Sequence, residues 1–165
     1  MKVLVSVASR HGSTTEVAAT IAAGLKAHGL DAIVMSPGDV PSLDEFDAAV
    51  IGSAIYLGRW LEPARELVER EHEPLRRKPV WLFSSGPVGD PPKPIDDPID
   101  AATLVQLVGA REHHVFPGSV DKRRLGFGER AIMAAVRAPE GDFRPWPDIE
   151  AWTVHIAAEL LALAS

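Results

Sequence analysis

The chain has 165 residues, 46% of them hydrophobic, and a formal net charge of −6. A chain of this size and composition can bury a full core, so we expect one soluble domain over residues 1–165. The absence of cysteine excludes disulfides, thiolate nucleophiles and iron–sulfur clusters, and the acidic balance argues against a nucleic-acid partner. The first residues turn polar too early for a signal peptide, and no run reaches the roughly 18 apolar residues of a spanning helix, so we expect a cytoplasmic protein.

Predicted strands and helices alternate along the chain. Apolar runs predict strands, and apolar residues spaced three or four apart predict helices. The predicted strands cover 2–8, 31–35, 47–53, 79–84 and 112–120, the last with a Pro-Gly break. The predicted helices cover 14–28, 61–71, 97–108, 125–137 and 147–164, and a loop or short helix covers 37–43.

Five successive strand–helix units indicate an α/β fold with a parallel sheet covered by helices on both faces. Sheets of this kind bind ligands at the carboxyl ends of their strands, where the strand order reverses. We therefore expect the ligand at the loops 9–14, 54–60 and 85–97, which follow the first, third and fourth predicted strands.

The loop after the first strand, Ser9-Arg10-His11-Gly12-Ser13-Thr14-Thr15, is rich in hydroxyl groups. It lacks the glycine patterns of dinucleotide-binding and triphosphate-binding loops. Four hydroxyls and a glycine at a helix start suit a terminal phosphate, because free N–H groups and the helix dipole favour a dianion there. The alternative is that Ser13 and Thr14 only cap the helix.

The same loop carries a family resemblance. Val5-x-x-x-Ser9-x-x-Gly12-x-Thr14-x-x-x-Ala18-x-x-Ile21 resembles the flavodoxin FMN-binding signature, with departures at Ser6 and Val7. Within this superfamily the chain is most similar to the flavodoxin-domain group that contains menaquinone-dependent protoporphyrinogen oxidase. This finer resemblance is carried by the first loop, the segment 50–58 and, more weakly, Phe116-Pro117-Gly118. The resemblance implies a flavodoxin-like fold, with a five-stranded parallel sheet of order 2-1-3-4-5 and FMN as cofactor.

The resemblance also implies which residues hold FMN. The first loop would bind the phosphate, through Ser9, Arg10, His11, Gly12, Ser13 and Thr14. The isoalloxazine ring lies between Ser53, Ala54, Ile55, Tyr56, Leu57 and Gly58 on one side and Ser85, Gly86, Pro87, Val88 and Gly89 on the other. Tyr56 or Trp60 would adjoin the ring, although Trp60 could instead pack inward. The flavin supplies the electron chemistry, so no catalytic side chain is expected.

We predict no metal site from the histidines. His113 and His114 are adjacent on a predicted strand and should point to opposite faces, and His155 should lie at the boundary of the last helix.

The resemblance favours an FMN oxidoreductase that works with a quinone-type acceptor and an organic substrate, with a porphyrin-like substrate as the finer hypothesis. The alternatives are an electron-transfer flavodoxin that acts on a redox partner, and a deazaflavin-binding or apo domain. Electron-carrier flavodoxins usually have a strongly acidic face around the flavin. Arg10, Arg59 and Lys93 lie in or beside the ligand loops and therefore disfavour the carrier hypothesis. The basic segment 122–137 predicts either a peripheral membrane contact or a solvated helix packed on the core.

Overall fold

The computed structural model describes residues 1–10, 12–86, 100–117, 119–120, 141–142 and 144–165. Its central sheet runs in the order β2-β1-β3-β5-β6, and all four of these pairings are parallel. These strands are β1 (Lys2–Ala8), β2 (Asp31–Met35), β3 (Ala48–Tyr56), β5 (Val80–Ser85) and β6 (Glu112–Phe116). The order confirms the predicted 2-1-3-4-5 arrangement, with one short strand, β4 (Arg59–Trp60), added antiparallel to β3.

Helices cover both faces of this sheet. They are α1 (Ser13–Ala27), α2 (Glu62–Arg70), α3 (His72–Arg76), α4 (Ala101–Val108) and α5 (Trp146–Ala164), with a 3-10 turn at Pro37–Asp39. Helices α1 and α5 pack on the face that carries Val3 and Val5, whereas α2, α3 and α4 pack on the face that carries Leu4. This alternation follows from the pleat of β1, which turns successive side chains to opposite faces.

The last helix confirms the stripe predicted from its spacing. Ile149, Trp152, Ile156 and Leu160 are all buried against the core that α5 shares with α1 and the sheet. Pro147 lies in the first turn, where its missing N–H costs nothing. No described helix is long and apolar enough to cross a membrane.

The predicted loop at 54–60 is wrong, because these residues form a hairpin. Strand β3 continues to Tyr56, the chain turns at Leu57 and Gly58, and β4 returns with Tyr56 opposite Arg59. Leu57 and Gly58 have φ values of 51° and 77°. Two successive left-handed residues make the kind of two-residue turn that matches the twist of a hairpin.

Two further boundaries differ from the prediction. Strand β6 stops at Phe116, and Ser119–Val120 (β7) pairs instead with Gly141–Asp142 (β8), because proline interrupts the ladder of hydrogen bonds. Helix α3 was not predicted. The predicted helix at 125–137, the basic segment 122–137 and the loop 87–97 lie outside the described residues.

Candidate functional site

The hydroxyl-rich loop leaves the carboxyl end of β1, which lies between β2 and β3. The chain passes from β1 to β2 on one side of the sheet and from β2 to β3 on the other. The strand order therefore reverses at β1, and ligands of such sheets bind at the carboxyl ends of the strands beside this point. Helix α1 starts directly after this loop, at Ser13.

Gly12 makes the turn from the loop into α1. Its φ of 89° is left-handed, a conformation that glycine adopts without strain. Its N–H donates to Ser9 Oγ at 2.9 Å, and its carbonyl accepts from the N–H of Glu16 at 3.2 Å. Because the residue before the helix is a glycine, no side chain caps α1 from that position. Ser13 and Thr14 lie inside the first turn and do not act as the cap that was the alternative for them.

Thr14 is the residue that most clearly indicates a ligand. It is fully buried, and its Oγ1 has no hydrogen-bond partner in the described part of the chain. A buried hydroxyl without a partner costs about 1–3 kcal/mol. Among the described residues Ser6 Oγ, Trp81 Nε1 and Asp100 Oδ2 are also buried without a hydrogen-bond partner, but the first two belong to strands and Asp100 Oδ2 forms an ion pair with Arg65 at 3.7 Å. A phosphate at the start of α1 suits this site, because its oxygens would accept a hydrogen bond from Thr14.

The hairpin meets the first loop through Arg10 and Tyr56. The guanidinium carbon of Arg10 lies 4.2 Å from the centre of the Tyr56 ring. Leu57, at the tip of the hairpin, is 67% exposed. The structure therefore brings the first and second predicted loops together, with a flat aromatic ring and an exposed leucine beside the first loop.

The third loop begins next to the same hairpin. Ser85 ends β5 opposite Ala54, and a methyl group placed on Gly86 would lie 3.7 Å from Ile55 Cβ. Gly86 has a φ of 115°, and its N–H donates to the Phe116 carbonyl at 2.7 Å. The described residues of all three predicted loops thus converge at one edge of the sheet. His11, Pro87, Val88, Gly89 and Lys93 lie outside the described residues.

Two hairpin residues predicted near the ring, Ser53 and Trp60, have hydrogen-bond partners inside the protein. Ser53 is buried, donates to the Ala54 carbonyl at 2.7 Å and accepts from the N–H of Leu61 at 2.9 Å. Trp60 packs inward with 2% exposure, and its Nε1 donates to Ser84 Oγ at 2.7 Å. Trp60 therefore follows the inward alternative, and Tyr56 is the aromatic residue that faces the loops.

A polar network beneath the hairpin was not predicted. Ser84 Oγ also lies 2.7 Å from His113 Nε2, and the backbone of Trp60 contacts Asp100 Oδ1 at 3.4 Å and Arg65 Nε at 3.2 Å. These partners come from three different elements, so no local spacing could reveal them. His113 and His114 do lie on opposite faces of β6, as predicted, since His114 packs against Trp152 instead.

The contact of Arg144 with the start of α1 was also not predicted. The guanidinium of Arg144 donates to the carbonyl of Ser13 at 3.3 Å and pairs with the carboxylate of Glu16. The side chain is only 11% exposed, so this contact holds a positive charge at the first turn of α1. The two residues are 131 positions apart in sequence.

Comparisons with known proteins agree with this geometry. The family model described as a flavodoxin domain matches residues 4–144. A solved flavodoxin from the domain Archaea is 20% identical, with a TM-score of 0.63, over 96% of this chain and 98% of that one. A flavodoxin variant from Pseudomonas aeruginosa is 18% identical, with a TM-score of 0.64, over 96% of this chain and 97% of that one.

A larger protein also contains a similar unit. Rubredoxin oxygen:oxidoreductase from Desulfovibrio gigas is 15% identical, with a TM-score of 0.63, over 99% of this chain and 37% of that one. No curated protein sequence matches the chain. Flavodoxin homologues bind FMN, which is the cofactor that the resemblance implied.

Proposed function

The chain belongs to the flavodoxin-domain family, and on that premise we propose that it binds one FMN and passes electrons between an organic substrate and a quinone-type acceptor. The observation that carries the cofactor assignment is the buried hydroxyl of Thr14, which has no partner among the described residues. A terminal phosphate at this helix start would accept from that hydroxyl and from the first N–H groups of α1.

The same proposal assigns the loops to parts of the cofactor. Residues 9–14 would hold the phosphate, with Gly12 allowing a close approach of the backbone. The ring would lie between residues 53–58 of the hairpin and residues 85–89. Tyr56 supports this division, because its ring is half-buried and already stacked against Arg10 of the phosphate loop.

FMN, when bound, supplies the one-electron and two-electron chemistry. The residues of the chain position the flavin and determine the hydrogen bonds and charges around it. The hydroxyl loop anchors the phosphate end, and the network under Trp60 holds the hairpin rigid beside the ring. No side chain has to act as a base in this scheme.

The charges around the site favour an organic acceptor over a protein with a basic surface. Among the described residues of the three loops the charged ones are Arg10 and Arg59, whereas Asp90, Asp96 and Asp97 of the third loop lie outside the described residues. The two arginines attract anionic or electron-rich small molecules and repel a basic protein. The comparisons do not extend to the group that oxidises porphyrinogens, so we propose the substrate only as an organic two-electron donor.

The test uses the FMN-loaded protein, reduced without oxygen and then mixed with a sulfonated naphthoquinone or with a basic haem protein. We expect rapid oxidation by the quinone and slow oxidation by the haem protein. Arg59→Gln should slow the reaction with the anionic quinone, whereas Arg77→Gln, an exposed arginine after α3, should not. Fast oxidation by the haem protein alone would instead identify an electron carrier.

A further inference from the structure

A second cluster of ionisable side chains lies where edge strand β6 meets α5. His155 and Glu159 are four residues apart on α5 and therefore share one face. His155 Nε2 lies 2.9 Å from Glu159 Oε1 and 2.8 Å from Oε1 of Glu112, the first residue of β6. The three side chains thus direct one nitrogen and two oxygens to a single point, with these atoms all within 4.8 Å of one another.

The second oxygen of each carboxylate is held by a different donor. Trp152 Nε1 donates to Glu112 Oε2 at 2.8 Å. Arg111 Nη1 donates to Glu159 Oε2 at 3.2 Å. These bonds leave both Oε1 atoms turned toward His155. Outer donors that fix the direction of a ligating carboxylate are a regular part of protein metal sites.

Glu112 is held in its charged form. Burial raises the pKa of its carboxyl group, but hydrogen bonds from Trp152 and His155 and the charges of His155 and His114 outweigh burial and lower the pKa below its usual value. His114 Nε2 lies 3.3 Å from Glu112 Oε2, the oxygen that also accepts from Trp152. The cluster therefore offers two carboxylate oxygens and one imidazole nitrogen as ligand atoms.

We propose that Glu112, His155 and Glu159 bind one divalent transition-metal ion, for which Zn²⁺ is the best match. Imidazole nitrogen and carboxylate oxygen are both common zinc ligands, at about 2.0–2.2 Å. Ligand atoms of a tetrahedral site are then about 3.3 Å apart. The two nitrogen–oxygen separations of 2.8 and 2.9 Å would open toward this value, and the two carboxylate oxygens, which lie within 4.8 Å of each other, would close toward it.

The site is open to solvent and joins two elements. His155 is 49% exposed, and both carboxylates are 30% exposed, so an ion can enter without rearrangement of the core. Because Glu112 belongs to β6 and the other two ligands to α5, a bound ion would clamp the last helix to the edge of the sheet. This role is independent of FMN, since none of the three residues belongs to the predicted cofactor loops.

The test is a zinc titration of tag-free, chelator-treated protein, measured by competition with a chromophoric chelator. We expect one ion per chain at this site and a weakening of about tenfold or more in His155→Ala and in the isosteric Glu159→Gln. Glu150→Gln, an exposed carboxylate on the same helix, should bind zinc as the wild type does. Co²⁺ should give visible absorption bands that His155→Ala weakens.

Equal zinc affinity in the wild type and both ligand variants would overturn the proposal, as would no binding at zinc concentrations far above that of the protein. Circular dichroism shows whether His155→Ala is folded. Should it fail to fold, Glu159→Gln still decides the question, because it removes a charge without changing the side-chain volume.

Discussion

The guanidinium of Arg10 stacks on the ring of Tyr56 at 4.2 Å, and this contact joins the phosphate loop to the hairpin. A cation over an aromatic ring contributes about 0.5–2 kcal/mol, depending on exposure. The stack therefore pre-arranges two of the three loops before a cofactor arrives. We expect Arg10→Met to weaken FMN binding by about threefold to tenfold, as measured by quenching of flavin fluorescence.

The control for Arg10 is Arg59→Met, which removes a positive charge from the hairpin that carries Tyr56 but leaves the Arg10–Tyr56 stack in place. An equal loss of affinity in both variants would show that net charge, and not stacking, is what matters.

Thr14 allows binding to be separated from stability. In Thr14→Val the buried hydroxyl becomes a methyl group of the same shape, so the free energy of unfolding of the flavin-free protein should stay the same or rise. FMN affinity should fall about tenfold or more, since a hydrogen bond to a charged group contributes about 1.5–3 kcal/mol. Urea unfolding and FMN titration measure the two quantities.

Thr153→Val is the matched control, because Thr153 is also buried but donates to the Ile149 carbonyl inside α5. It should leave FMN affinity unchanged. If Thr14→Val bound FMN as tightly as the wild type, the hydroxyl would have no place in the phosphate site.

Gly52 on β3 lies directly opposite Phe83 on the neighbouring strand β5. A methyl group at Gly52 would come within 2.3 Å of two ring carbons of Phe83, so Gly52→Ala should destabilise the protein by about 1–3 kcal/mol. Gly38→Ala should be nearly neutral, because nothing lies within 4 Å of the added carbon. Urea midpoints of the two variants make the comparison, and equal midpoints would contradict the packing described for this strand.

Leu57 holds a conformation that suits glycine or asparagine. A side chain at φ 51° costs about 1–2 kcal/mol, and asparagine is favoured at the first position of this turn. Leu57→Asn should therefore raise the free energy of unfolding by about 0.5–1 kcal/mol. A thermal melt checks this, with Leu163→Asn as a control at an exposed leucine in α5. A lower melting temperature in Leu57→Asn would mean that the leucine makes contacts that outweigh its strain.

Ser84 accepts the indole N–H of Trp60 and lies beside His113 Nε2. Ser84→Ala would leave that N–H buried without an acceptor and cost about 1–3 kcal/mol. Exposed Ser36→Ala should change stability by less than about 0.5 kcal/mol. If Ser84→Ala were as stable as Ser36→Ala, the network would not hold the hairpin in place.

The parts of the fold that could be predicted are those with strong local signals. Strand β1 and the buried stripe of α5 follow from spacing alone, and the phosphate loop is contiguous, so its hydroxyls are visible in the sequence. The hairpin was missed because Leu57, a residue that normally avoids positive φ, occupies its turn. The contact of Arg144 with Ser13 and that of His155 with Glu112 depend on how distant segments pack, which no local pattern encodes.

The start of α1 is proposed to bind the phosphate of FMN, and a comparison of two flavins tests this directly. Flavin-free protein is titrated with FMN and, separately, with riboflavin, which has the same ring system but no phosphate. We expect one FMN per chain, with quenched fluorescence and shifted absorption bands, and an affinity for riboflavin about a hundredfold lower, since the phosphate contacts are charge-assisted. Equal affinity for the two flavins, or no uptake of either, would contradict the proposal.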